Sequence, residues 1–318
     1  SLERIEIPSS ITSIGNESFY ECSSLANISI PSSVTSFGFG VFFNCLSLKQ
    51  INIPPQIEII YKKTFENCKS LVKISLPSSI KSINLLAFCQ CSSLAEITLP
   101  HSLASIGEKA FSHCTSIKKI TIPDEVTYIG NRAFYDCGQL QLILFSQESK
   151  LQTIEEYAFH NSSIKNITIP NKVTIIGKSA FVNCYQLQLI LFSKESRLQT
   201  IEDSAFKESP IRNFTIPNRV TTIGIQAFAL CKQLRRIEIS KESKLQTIEE
   251  FAFAKSSIES ITIPREVTVI KKRAFSYCTN LQIIEIDENS KLDSFDQNLL
   301  YETKNAILMI PSNKRNLL

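Results

Sequence analysis

The sequence contains no long apolar run, no tryptophan and a single methionine. No segment approaches the roughly 18 consecutive apolar residues that a membrane-spanning helix needs, so we expect no direct membrane insertion of this segment. The 34 basic and 30 acidic residues leave a formal net charge of only +4, and they are dispersed along the chain. This balance argues against a nucleic acid or an anionic membrane as the partner.

Motifs of catalysis are missing as well. The chain has no phosphate-binding loop, no GxSxG elbow, no HExxH pair and no dinucleotide fingerprint. The three histidines, His101, His113 and His160, are predicted to lie outward as lone surface residues without a periodic acidic partner. We therefore predict a protein that is not an enzyme and binds no cofactor.

Most of the chain consists of one repeated sequence motif. Six prolines, from Pro8 to Pro123, recur at one constant interval, and each precedes a phenylalanine by eleven positions and a cysteine by fourteen. The first set is Pro8, Phe19 and Cys22, and the sixth ends at Cys137. The consensus is LxxIxIPxxVTxIGxxAFxxCxx, and self-similarity at a fixed period of about 23 residues predicts a solenoid.

After Cys137 a second kind of coil alternates with the first. It reads LILFSQESKLQTIEEYAFHNSSI from Leu142 and returns as LILFSKESRLQTIEDSAFKESPI from Leu189. This variant replaces the proline by serine, gains two positions before Leu151 and loses one after Phe159, so it is one position longer than the uniform coil. Both kinds together give about fourteen coils. We predict a single solenoid over 1–318, with uniform coils over 1–137, alternating coils over 138–295 and a terminal coil with tail over 296–318.

The coil from Ile120 to Leu140, ITIPDEVTYIGNRAFYDCGQL, shows the expected local structure. The alternating run that ends at proline predicts a short strand, and VTYI predicts a second one. Gly130 suits a turn with positive φ, although Tyr61 and Asn84 take that place in other coils. The NRAFYDC segment predicts one helical or 3₁₀ turn. The predicted inward residues are Ile120, Ile122, Val126, Ile129, Ala133, Phe134, Cys137 and Leu140.

The extended consensus LxxIxIPxxVTxIGxxAFxxCxxL resembles the BspA-like leucine-rich repeat, a family of surface proteins of host-associated bacteria and parasitic protists. The resemblance covers essentially the whole chain. It implies a curved solenoid with a parallel sheet on its concave side, often exposed on a cell surface and linked to adhesion. Because the chain begins inside a repeat, we interpret it as a piece of a longer protein.

Nine of the ten cysteines stand at one repeat position, so they form a ladder and do not face one another. Those of alternating coils would lie about 10 Å apart, beyond the roughly 7 Å Cα limit for a disulfide. We interpret them as small buried groups that donate to backbone carbonyls. The exception is Cys89, close to Cys68, Cys91, Cys114 and His113. Its spacing is not a zinc signature, so we predict no metal site.

The outward side of the first strand is the predicted binding face. Early coils present polar residues there, whereas the variant coils present leucines, flanked by basic residues. We interpret these as a partner-binding stripe, with ordinary strand composition or cover by neighbouring side chains as the alternative. The candidate residues are Leu142, Leu144, Leu189, Leu191, Lys119, Lys165, Arg212 and Arg236.

Two functions of different class remain open. The first is a cell-surface or secreted solenoid for adhesion or host-ligand recognition, whose partner would be a host extracellular-matrix or cell-surface protein. The second is an intracellular, cytoplasmic scaffold for protein assembly, which the unpaired cysteines favour. Nothing in the residues determines the oligomeric state.

Overall fold

The computed structural model describes residues 2–296, 298–303 and 305–313. The chain divides into two compact units, Ser1–Ile164 and Lys165–Leu318, here called unit 1 and unit 2. Each unit is a parallel-strand β-solenoid, and together they contain about 13 turns of about 23 residues. The predicted leucine-rich repeat solenoid is therefore confirmed, while continuity through residue 318 as a single domain stays a prediction.

Each turn of unit 1 contributes one strand to each of two rows of stacked parallel strands, which we call the first sheet and the second sheet. Strand pairing is interrupted after Asn27–Ser29 and Glu96–Thr98 in the first row and after Ser36–Phe37 in the second. The strands of the first sheet are β1 (Arg4–Glu6), β3 (Asn27–Ser29), β5 (Gln50–Asn52), β7 (Lys73–Ser75), β9 (Glu96–Thr98), β11 (Lys119–Thr121) and β13 (Leu142–Leu144). Those of the second sheet are β2 (Ser13–Ile14), β4 (Ser36–Phe37), β6 (Ile59–Ile60), β8 (Ser82–Ile83), β10 (Ser105–Ile106), β12 (Tyr128–Ile129) and β14 (Thr153–Ile154).

Unit 2 repeats this plan with longer strands in its first sheet. These are β15 (Asn166–Ile169), β17 (Leu189–Phe192), β19 (Asn213–Ile216), β21 (Arg236–Ile239), β23 (Ser260–Ile263), β25 (Ile283–Ile286) and β27 (Ile307–Met309). The second sheet contains β16 (Ile175–Ile176), β18 (Thr200–Ile201), β20 (Thr222–Ile223), β22 (Thr247–Ile248), β24 (Val269–Ile270) and β26 (Ser294–Phe295).

The strands pair in parallel with the corresponding residues of consecutive turns side by side. In unit 1, Ile120 of β11 lies beside Ile143 of β13 in the first sheet. In the second sheet, Tyr128 of β12 lies beside Thr153 of β14, which is a longer step along the chain by two positions. The additional residues of the variant coil are thus accommodated before its second strand, so the inward alternation of both sheets is preserved.

The additional residues fold as a serine-bonded loop. Ser149 is buried, and its Oγ accepts a hydrogen bond from the amide of Leu151 at 3.3 Å. In unit 2 the same bond recurs between Ser243 Oγ and the amide of Leu245 at 3.2 Å. A short serine side chain is suited to this local bond. The turn that Pro123 makes in the uniform coil is kept in the variant coil, where the amide of Ser149 donates to Ser146 O at 3.4 Å.

Phenylalanine rings form the centre of each core. In unit 1, consecutive rings from Phe19 to Phe159 stack with centroids 5.2 to 5.5 Å apart. In unit 2, the rings from Phe181 to Phe275 stack at 5.4 Å. All eight residues predicted to lie inward in the coil from Ile120 to Leu140 are at most 1% exposed, which confirms the alternation.

The prediction that Gly130 adopts a positive φ in a turn is wrong, and glycine stands there for a different reason. Gly130 does not have a positive φ. A Cβ at this position would lie 2.7 Å from the carbonyl carbon of Gly107 and 2.8 Å from the amide nitrogen of Glu108, in the preceding turn. Glycine is present because two backbones approach closely, which is the other use of a residue without a side chain.

The left-handed residues lie elsewhere, and they are not glycines. In the same coil, Arg132 has φ 54° and Asp136 has φ 55°. The predicted helical turn is also wrong, because residues 131–137 form successive tight turns. The amide of Ala133 donates to Gly130 O at 3.0 Å, whereas the amide of Phe134 donates to Ala158 O of the next turn at 2.8 Å. Alternate amides therefore bond outside the segment, which excludes a helix.

The cysteine ladder donates to backbone as predicted. In unit 1, the thiols of Cys45, Cys68, Cys91, Cys114 and Cys137 lie 3.0 to 3.2 Å from the carbonyl of the core phenylalanine one turn earlier. All ten cysteines are free.

Hydroxyl groups replace the thiol in the variant coils. In unit 2, Ser209 Oγ donates to Phe181 O at 2.9 Å, and Thr303 Oγ1 donates to Phe275 O at 2.7 Å. This repeat position therefore requires a small side chain that can donate a hydrogen bond to a buried carbonyl, and either a thiol or a hydroxyl group can do so.

We predict that one thiol reacts rapidly in the native chain. Cys22 is partly exposed, whereas the other nine cysteines are buried. Burial raises the pKa of Cys45 to about 12 and that of Cys89 to about 11, and the thiolate is the reactive form. Titration with an aromatic disulfide reagent at pH 8 should show one fast equivalent, with the rest released only on unfolding. The Cys22→Ser variant should lose the fast phase, and a fast phase of two or more equivalents would contradict the prediction.

Candidate binding surface

The first sheet of unit 1 presents a polar outer face over most of its strands. Gln50 of β5 lies beside Lys73 of β7, which in turn lies beside Glu96 of β9. Lys73 Nζ is 2.9 Å from Glu96 Oε2, and both side chains are exposed. An exposed ion pair of this kind contributes little to stability, so both groups stay available to a partner.

The character of this face changes at β13. Leu142 and Leu144 point outward and are 38% and 36% exposed, as predicted, beside Lys119 and Thr121 of β11. We call these two leucines the unit 1 leucine patch. Both side chains keep more than a third of their surface exposed, so they are not fully covered, and their role as a binding stripe stays a prediction.

Unit 2 carries a corresponding pair. Leu189 and Leu191 of β17 are 41% and 47% exposed, and they lie beside Asn166 and Thr168 of β15. We call them the unit 2 leucine patch.

The predicted basic residues are all exposed, but they differ in their partners. Lys119, Lys165 and Arg212 form no ion pair within the residues that the structure describes. Arg236 Nε, in contrast, is 3.2 Å from Glu238 Oε1 of the same strand. Lys165 and Arg212 precede their strands by one residue, so they lie at the edge of the face. The predicted role of these residues in binding stays a prediction.

Sequence reasoning missed a third apolar group at the end of unit 2. Ile283 of β25 lies beside Ile307 of β27, and Met309 follows on the same outer face. Their exposed fractions are 37%, 63% and 51%. The signal was available, because both strands carry apolar residues at the outward as well as the inward positions.

Two of the histidines are not lone surface residues. His113 Nδ1 lies 3.3 Å from Asp136 Oδ2, and the ring of His160 stacks on Tyr135 at 4.9 Å. Burial lowers the pKa of His160, while the carboxylate of Asp136 acts in the opposite direction. The repeat register could have shown these contacts. His113 and Asp136 each precede a ladder cysteine, and Tyr135 and His160 each follow a core phenylalanine, in consecutive turns.

Within the described part of the chain, no group of three or more histidine, cysteine, aspartate or glutamate residues is arranged to hold a metal ion. A search of the same residues for helices long and apolar enough to cross a membrane found none.

A model of the BspA type leucine rich repeat region matches residues 1–118, 58–188, 104–222 and 199–317. The chain belongs to this repeat family. Its fold is typical of protein-interaction modules and is generally non-enzymatic. No curated protein matches the chain in sequence.

The chain is similar to several solved structures, to different degrees. A leucine-rich repeat protein from Bacteroides ovatus is 25% identical with a TM-score of 0.69, covering 96% of this chain and 92% of that one. The pneumococcal vaccine antigen PcpA is 19% identical with a TM-score of 0.50, covering 80% and 76%. A leucine rich cell surface protein from Faecalibacterium prausnitzii is 24% identical with a TM-score of 0.47, covering 99% and 89%.

Proposed function

We propose that this chain is a non-enzymatic recognition module that binds a protein through the outer faces of its first sheets, at a cell surface. Membership of the BspA-type repeat family supports the interaction role. The observation that carries the proposal is the pair of exposed leucine patches, each with both leucines at least 36% exposed. Exposed apolar side chains that lie together on a sheet face among polar residues are typical of contact sites.

The basic residues around the patches indicate the chemistry of the partner. Lys119 adjoins the unit 1 leucine patch, and Lys165 lies at the edge of the face that carries the unit 2 leucine patch. Unpaired cations at the rim of an apolar contact speed association with an acidic surface and have little effect on its final strength. We therefore propose an extracellular-matrix or cell-surface protein with an acidic rim around an apolar centre.

Serine substitutions in the leucine patches test the proposal. We expect Leu142→Ser with Leu144→Ser in unit 1, or Leu189→Ser with Leu191→Ser in unit 2, to weaken partner binding about tenfold to a hundredfold. The reason is that each leucine loses the apolar area that it would bury. Surface plasmon resonance against a panel of matrix and cell-surface proteins measures the effect.

Matched controls are available in both units. Leu85→Ser in unit 1 and Ile225→Ser in unit 2 also replace apolar residues, 37% and 40% exposed, that lie outside the first sheets. These variants should bind as the wild type does, and all four should unfold at similar urea concentrations. Equal binding by patch and control variants would exclude the sheet faces as the contact, and no binding to any panel member would contradict adhesion.

The alternative is an intracellular scaffold. The observation in its favour is that all ten cysteines are free, which is typical of proteins in a reducing compartment. Labelling intact source cells with a membrane-impermeant amine reagent distinguishes the two locations. Labelled protein supports the surface role, whereas protein that is labelled only after lysis supports the scaffold.

A further inference from the structure

A cleft lies among the turn segments of unit 2, apart from its first sheet. Its volume is about 310 Å³, at the lower end of the range of small-molecule sites. Ala229, Ala254 and Ser276 are its buried residues, and each directly follows a core phenylalanine. Leu230, Phe251 and Tyr277 supply the larger apolar and aromatic surface.

Unit 1 shows what usually fills this place. The residue after the core phenylalanine is aromatic in four of its turns, and the rings stack in pairs. Tyr20 lies on Phe43 with centroids 4.9 Å apart, and Tyr135 lies on His160 at the same distance. In unit 2, the residues at this position in three consecutive turns are small (Ala229, Ala254 and Ser276), so no aromatic ring occupies it. The cleft therefore has the position and surroundings in which this fold accommodates an aromatic ring.

A buried hydroxyl in the lining lacks a partner. Ser276 has no exposed surface, and its Oγ forms no hydrogen bond with any residue that the structure describes. A buried hydroxyl without a partner costs about 1 to 3 kcal/mol relative to one that is bonded. Because this hydroxyl has no exposed surface, a guest in the cleft does not reach it, and recognition of a ligand rests on the groups that the cleft exposes.

The remaining polar groups of the lining are donors. Lys207 Nζ donates to Gln226 Oε1 at 3.0 Å, which leaves the amide N–H₂ of Gln226 as its open side. Lys255 Nζ lies 5.4 Å from the ring centroid of Tyr277. Neither lysine forms an ion pair with another described residue, and none of the described residues lining the cleft is a carboxylate. Two cations and further donors around an apolar interior are complementary to an apolar anion.

We propose that this cleft binds a small aryl carboxylate, either as a free acid or as the C-terminal residue of a peptide. The ring lies against Ala229 and Ala254, in the place that an aromatic side chain fills in unit 1. The carboxylate is bound by Lys255 and Lys207. This site is independent of the leucine patches, since none of its residues belongs to a strand of the first sheet.

Isothermal titration calorimetry with the full chain tests the chemistry. The probe is 3-phenylpropionate, and its uncharged analogue 3-phenylpropanamide is the matched control. We expect the acid to bind about tenfold more tightly than the amide, because it accepts charge-assisted hydrogen bonds. Propionate, which lacks the ring, should not bind measurably. Equal affinity for acid and amide, or no heat with the acid up to about 10 mM, would overturn the proposal.

Substitutions locate the site. Ala254→Leu fills the cleft and should weaken binding of the acid at least about tenfold. Lys255→Met should weaken the acid about threefold to tenfold and leave the amide unchanged. Lys244→Met, an exposed lysine of the same unit outside the cleft, is the control and should bind normally. Unchanged binding by Lys255→Met would overturn the proposal even if Ala254→Leu does not fold.

A separate experiment distinguishes the two possible sources of the carboxylate. A tetraglycyl-phenylalanine peptide with a free C-terminus is compared with its C-terminal amide. Binding of the free-acid peptide at the affinity of 3-phenylpropionate indicates a peptide C-terminus. Binding of 3-phenylpropionate alone indicates a small free acid, since the peptide backbone then does not fit.

Discussion

Phe111→Ala should lower the free energy of unfolding of unit 1 by about 3 to 5 kcal/mol. Phe111 has no exposed surface, and its ring stacks on Phe88 and Phe134 with centroids 5.3 Å away on each side. Truncation removes both ring contacts and the apolar transfer energy, and it leaves a cavity that the two neighbouring turns cannot close without breaking their backbone bonds.

Urea denaturation followed by circular dichroism measures the loss. Hydrogen exchange then assigns it to unit 1, because amides of the turns around Phe111 should lose protection first. Tyr128→Ala is the matched control, since it also removes an aromatic ring from unit 1, but one that is 41% exposed. It should cost less than about 1 kcal/mol. Similar losses for the two variants would mean that the phenylalanine stack does not stabilise the core.

Gly130→Ala should destabilise unit 1 by about 1 to 3 kcal/mol. The added methyl group would lie 2.7 Å from the carbonyl carbon of Gly107. The methyl group would meet backbone atoms, which cannot move aside as a flexible side chain can. The two turns would therefore have to separate, which lengthens the hydrogen bond from Gly130 N to Ile106 O, at present 3.0 Å. The effect arises from a single methyl group, which makes it a sharp test of how closely the turns approach.

Gly138→Ala is the control for this effect. No heavy atom lies within 4 Å of the position that its Cβ would occupy, and its φ is not positive. The variant should therefore be neutral or more stable by about 0.4 to 1 kcal/mol, because alanine restricts the unfolded chain. Thermal unfolding of both variants decides the matter. Equal stability would show that Gly130 is not held by close backbone contact.

Much of the site could be predicted because strand alternation is a local rule. A strand residue next to an inward isoleucine must point outward, so the exposure of Leu142 and Leu191 followed from their places beside Ile143 and Ile190. The same rule, applied to IIEI and ILMI, would have found Ile283 and Met309. The ion pair between Arg236 and Glu238 was also open to this rule, because two outward residues of one strand lie two positions apart.

The cleft of unit 2 could not be predicted in this way. Alanine after the core phenylalanine is unremarkable in any single coil, and Ala229 and Ala254 are separated by a whole turn. Only the stacking of successive turns makes them neighbours of Ser276. The missing ring becomes visible when this place is compared with the stacked pair of Tyr135 and His160 in unit 1.

The sequence by itself determined the repeat, the family, the two strands of each turn and the inward set, because these depend on period and alternation along the chain. Only the tertiary structure decided the conformation of the backbone between the strands. Arg132 and Asp136 adopt positive φ although neither is glycine, since hydrogen bonds to the next turn stabilise a conformation that costs about 1 to 2 kcal/mol per residue. Gly130, the residue expected to adopt that conformation, is present for close contact between turns. Bonds and contacts between residues a full turn apart leave no local signal in the sequence.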